Sequence, residues 1–82
     1  MDYKRTYTKD EAEELIHWFE THECEQDIDI GQGVHIKNLS LALKQLFHVA
    51  RTQYNNPSFS GQINLLGRIK DALIEQGKVK GE

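Results

Sequence analysis

Residues 39–53 (LSLALKQLFHVARTQ), 54–58 (YNNPS) and 59–76 (FSGQINLLGRIKDALIEQ) decide the fold. Two stretches carry apolar residues at helical spacing, and a short Asn-Pro-Ser break separates them. Leu39, Ala42, Leu43, Leu46, Val49 and Ala50 make the first stripe, with Phe47 at its edge and Leu41 off it. Phe59, Ile63, Leu66, Ile69, Leu73 and Ile74 share one face of the second, with Leu65 flanking. A helix that is apolar on one side has to bury that side against a partner. Asn38 suits the N-cap of the first helix. Asn56 precedes a proline and is biased away from helical angles, so it is predicted to cap the second helix with Pro57 at the first helical position. Ser60 is the alternative cap, and Gly77 is the natural stop.

A third helix is predicted further towards the N-terminus. Thr8-Lys9-Asp10-Glu11 matches a capping box, in which the Thr8 hydroxyl and the Glu11 carboxylate each accept the other residue's amide. Asp10, Glu11, Glu13 and Glu14 crowd the positive end of the helix dipole. Ala12, Leu15, Ile16 and Phe19 then form the stripe, with Trp18 on its border and Tyr7 placed to staple the first turn.

Residues 27–37 follow a different rule. Ile28 and Ile30 alternate with acids, Val34 and Ile36 alternate with His35 and Lys37, and Gly31-Gln32-Gly33 lies between. Period-two spacing around a glycine-rich turn predicts a hairpin or an extended arm packed over the helices. The fold class is therefore mainly α: a compact three-helix domain with a short extended or β-hairpin arm between helices 1 and 2. One domain spans 1–82, with 1–7 a poorly ordered arm and 78–82 a frayed tail. Leu15, Phe19, Leu43, Leu46, Ile63, Leu66 and Leu73 should be largely buried.

Composition narrows the function classes. The chain is 38% hydrophobic and 28% charged, which fits a globular domain and not a disordered one. No run approaches the roughly 20 apolar residues of a membrane span. No apolar run follows Lys4-Arg5, so no secretory signal is expected, and the compartment is read as cytoplasmic. The single cysteine, Cys24, has no intrachain partner. Charge is unevenly placed: residues 1–30 hold ten acids and three bases, whereas residues 31–82 hold seven bases and three acids. One reading is helix packing steered by opposite charge; the other is a bipolar surface with a partner for one pole.

Chemical motifs are weak. His17, His22 and Cys24 lie close in sequence, but a zinc site needs three or four converging ligands at spacings that are missing here. Glu23 and Glu25 flank Cys24 and disfavour its thiolate. No nucleophile motif or phosphate loop is present. No catalytic residue, cofactor or metal is therefore expected, and the chain is read as non-enzymatic. Lys44, His48 and Arg51 are read on the face opposite the apolar stripe of residues 39–53, and with Lys37, Arg68 and Lys70 they form a basic series. Yet the protein is acidic overall, with a pI near 5.8, and the break is too long for a helix-turn-helix. Trp18 either closes the core or joins Leu41 in an exposed contact patch.

Three segments carry a resemblance. Tyr7-Thr8-Lys9-Asp10-Glu11-Ala12-Glu13-Glu14-Leu15-Ile16 leads into Trp18-Phe19-Glu20; Ile28-Asp29-Ile30 runs through Val34-His35-Ile36-Lys37-Asn38; and Asn55-Asn56-Pro57-Ser58-Phe59 precedes the last helix. In that order the chain resembles a family of small gut-bacterial proteins described only as a domain of unknown function. It lacks the proline that this family carries just inside the second helix. The resemblance implies a fold, and no activity, ligand or site residue. The function expected from the residues is a non-enzymatic protein-interaction or accessory module, with Trp18, Leu41, Lys44, His48 and Arg51 as its candidate surface and a protein as its partner. The alternative is a small nucleic-acid-associated regulator using the basic face of helix 2.

Overall fold

The computed structural model describes residues 7–80. The expected N-terminal arm, Tyr7 apart, and the last two residues lie outside the described residues. Three helices carry the fold: α1 (Lys9–Thr21), α2 (Leu39–Thr52) and α3 (Phe59–Glu75). Four short strands, β1 (Glu23–Cys24), β2 (Ile28–Gly31), β3 (Val34–Ile36) and β4 (Val79–Lys80), form two antiparallel pairs, β2 with β3 and β1 with β4. None of the described helices is long and apolar enough to cross a membrane.

The capping box forms as the sequence predicts. Glu11 N–H donates to Thr8 Oγ1 at 3.2 Å, and Thr8 N–H donates to Glu11 Oε1 at 3.0 Å. At α2, Asn38 Oδ1 accepts the Leu41 amide at 3.2 Å. Gln26 satisfies two more orphan amides there: its carbonyl accepts Leu39 N–H at 3.0 Å and its Oε1 accepts Ser40 N–H at 2.8 Å. The loop between β1 and β2 is thereby tied to the start of α2.

The arm is a hairpin. Ile28 pairs with Ile36 and Asp29 with His35, and a bulge follows before Gly31 meets Val34. Gly31, Gln32 and Gly33 all have positive φ, which glycine tolerates and which explains why two of the three turn residues are glycine. Ile28 is fully buried, Ile30 and Ile36 are half-buried, and Val34 is exposed. The hairpin thus packs one edge of its apolar set over α3.

Ala12, Ile16, Phe19, Ile28, Leu39, Leu46, Ala50, Phe59, Ile63, Leu66, Ile69, Ala72 and Leu73 form the core, and among the described residues no polar side chain is buried with them. Burying one such large side chain contributes about 1.5–3 kcal/mol. Four expectations need correction. Leu15 and Leu43 are half-buried because they sit at the edges of their stripes. Ile74 is 55% exposed: it lies about 100° round the helix from Leu73, and Ala72 turns inward instead. The regular helix α3 starts at Phe59, two residues later than Pro57, because Phe59 N–H bonds back to the Asn56 carbonyl at 2.9 Å and closes a tighter turn first. Asn56 still makes the expected cap contact, its side chain accepting Ser58 N–H at 3.0 Å and Ser58 Oγ–H at 2.9 Å. Ser60 is not the cap; its hydroxyl accepts the Tyr7 amide at 3.2 Å.

The fourth correction concerns the tail. Residues 79–80 pair with β1, Cys24 opposite Val79 and Glu23 opposite Lys80. Glu25 N–H donates to the Lys78 carbonyl at 3.0 Å. Lys78 Nζ donates to the Asp27 carbonyl at 2.8 Å, and Gln76 Nε2 to the Asp29 carbonyl at 2.6 Å. Those side chains also cover backbone carbonyls along the hairpin's outer edge.

Candidate functional site

The helix phases divide the expected surface in two. Trp18 lies on the α3 flank of α1. It is half-buried, packs edge-on against Phe19 with ring centroids 5.0 Å apart, and stacks on His22 at 4.5 Å. Lys70 Nζ from α3 sits 5.4 Å from the Trp18 ring centroid. Trp18 therefore serves the α1–α3 seam. Leu41, 53% exposed, lies on the outer face of α2, three residues before Lys44 and seven before His48. Trp18 and Leu41 belong to different faces.

Lys44, His48 and Arg51 do come together. With Ser40, Leu43, Phe47 and Thr52 they line an open groove of about 540 Å³ along α2. The spacing explains it: these positions recur at three and four residues and so share one side of the helix, but that side adjoins the Leu43–Phe47 edge of the apolar stripe and does not lie opposite it as expected. Leu43 and Phe47, both half-buried, form its apolar floor. Phe47 also meets Phe19 of α1 at 6.1 Å between ring centroids.

Acids stand beside this groove. Arg51 Nη2 lies 3.5 Å from Glu20 Oε2 and Arg51 Nε lies 3.8 Å from Glu13 Oε1. Glu13 and Glu20 are seven residues apart, on the flank of α1 that faces α2. All three side chains are about half exposed, between 45% and 50%, so the pairing is screened and each contact is worth at most about 1 kcal/mol.

The histidine and cysteine cluster is not assembled as a ligand set. Among the described residues no three of His, Cys, Asp and Glu converge to hold a metal ion. His22 Nδ1 lies 2.8 Å from the Trp18 carbonyl, which only accepts, so that nitrogen carries the proton. The Cys24 thiol donates to the His22 carbonyl at 3.7 Å, and burial pushes its pKa up from the ordinary thiol value. That shift favours an inert thiol.

Sequence reasoning missed the floor residues and the acidic neighbours. Leu43 was expected in the core and Phe47 at its edge. The signal was present: the apolar arc of α2 from Leu39 through Phe47 to Val49 is wider than one neighbouring helix can cover.

A family model described as Domain of unknown function (DUF6965) matches residues 10–76. The chain belongs to this family. The DUF6965 match runs from the first turn of α1 to Gln76, the C-cap of α3. It takes in the hairpin, the α2 groove and both Arg51 partners, and it ends before β4. Neither the curated proteins nor the solved structures hold a match to the chain.

Proposed function

We propose that the chain is a non-enzymatic protein-interaction or accessory module, and that the groove along α2 is its docking surface. One observation carries the reading: Leu43 and Phe47 lie open beneath a rim of Lys44, His48 and Arg51 on a single helix face. An apolar floor with a charged rim is the usual anatomy of a protein contact. We take the compartment as the cytoplasm. A partner captured from native lysate by the intact chain and lost with Lys44→Glu plus His48→Glu supports the reading, because both side chains are exposed and circular dichroism of the variant checks its fold. Capture that ignores this pair sinks the groove as the site.

A nucleic-acid partner is the competing class, favoured by the cations Lys44 and Arg51 on the same face. Glu13 and Glu20 beside Arg51 weigh against it, since they repel phosphate. A titration against duplex and single-stranded DNA should show nothing tighter than the weak non-specific level of about 10⁻⁴ M. Micromolar, salt-sensitive binding that Lys44→Glu plus Arg51→Glu removes would replace the first reading with the second.

A further inference from the structure

The charge layout beside the groove points to its occupant, on the reading just given that the groove is an interaction surface. Glu13 and Glu20 form an acidic strip on α1, and Lys44 and Arg51, with His48 between them, form a basic strip on α2. The strips run side by side along the α1–α2 seam, which the Phe19–Phe47 contact closes from below. Arg51 already shows that the two strips attract one another.

We propose that this face docks against a second copy of the same chain, with the twofold axis running along the seam. Such an axis exchanges left for right. The Glu13–Glu20 strip of each copy then lies over the Lys44–His48–Arg51 strip of the other, and the two Leu43–Phe47 floors meet at the centre. A twofold across the seam would set acid on acid and base on base, which is disfavoured. The strip pattern thus selects both the occupant and its orientation. The contact is isologous, using one patch twice, as closed dimers require.

Size sets the strength. The molecule measures 33 × 26 × 20 Å, so a seam-centred contact covers only part of its broadest face and falls short of the about 800 Å² per partner of a standard interface. The dimer is therefore weak, reversible and sensitive to salt.

Sedimentation of the purified full chain, from micromolar to millimolar, tests this. A concentration-dependent dimer that weakens at high salt is expected. Lys44→Glu and Glu20→Lys should each weaken it roughly tenfold, because each turns two exposed ion pairs into repulsions. Mixing the two variants should restore it: one contact then joins the two altered strips and the other is native. A folding defect is not repaired by mixing, and circular dichroism of each variant alone checks the fold. A wild type that stays monomeric throughout, or a dimer indifferent to both substitutions, overturns the proposal. A monomer that still captures a partner through Lys44 and His48 would sink self-association alone and leave the interaction module standing.

Discussion

The Lys78 amide donates to the Leu73 carbonyl at 2.9 Å, and the Gly77 amide donates to the Ile74 carbonyl at 3.2 Å. These two bonds make a Schellman stop at the end of α3, with Gly77 at φ +66°. A Cβ built on Gly77 meets nothing within 4 Å, so the requirement for glycine is conformational. Gly77→Ala should cost about 1–2 kcal/mol, the penalty for an L-residue in the left-handed region. Gly77→Asn should cost less. Denaturant unfolding of both variants measures the difference, and equal loss would contradict the conformational account.

The same stop turns the chain towards β1. Removing residues 78–82 should lower the unfolding midpoint clearly, since it deletes the β1–β4 pair and the Lys78 bond to the Asp27 carbonyl. Lys78→Met keeps the strand and removes only the ammonium, so it should lose about 1 kcal/mol at most. A truncated chain as stable as the full one would make the strand pair idle.

Leu66 is fully buried, whereas Leu41 is 53% exposed. Leu66→Ala should cost about 2–5 kcal/mol, and Leu41→Ala less than about 0.5 kcal/mol. For a chain of 82 residues the first loss is a large share of the total. Similar losses at the two positions would refute the core assignment.

Cys24 carries the pH prediction. Its folded-state pKa is raised by burial, so the fold favours the neutral thiol. That contribution is present below the ordinary thiol range, about pH 8.5, and is lost as pH climbs through the raised value. Alkylation of Cys24 near pH 8 should be slower than that of an unstructured thiol and should speed up on unfolding. A rate equal to that of the unstructured thiol would remove the prediction.

Thermal unfolding should be the same with and without chelator, and with and without reductant. A metal held only by the folded state would raise the midpoint by mass action. A midpoint that falls on adding chelator would revive the His17, His22 and Cys24 site.

The parts of this fold legible in the sequence are those written locally. Thr8 and Glu11 cap α1 across three residues, the stripes of α2 and α3 repeat within single helices, and the hairpin is announced by alternation around Gly31-Gln32-Gly33. What stayed hidden depends on distant partners. Val79 and Lys80 look like a polar tail because their strand partners, Cys24 and Glu23, lie far back along the chain. Asn56 reads as a helix cap, and the extra tight turn closed by Phe59 N–H on the Asn56 carbonyl before the regular helix begins is not written in the residue types. Lys44, His48 and Arg51 were visible as one face. Glu13 and Glu20 became their neighbours only once the side of α1 that meets α2 was known.

The β1–β4 pair also orders events in time. Glu23 and Lys80 are joined across a loop that holds both later helices, and long-range pairings of this kind carry a loop-closure cost that local helices avoid. During synthesis, α1 is complete and its neighbouring strand waits until residue 80 has emerged. The short sheet is thus the last seam to form and the first to part, and amide hydrogen exchange at Glu25 should outpace that at Leu66.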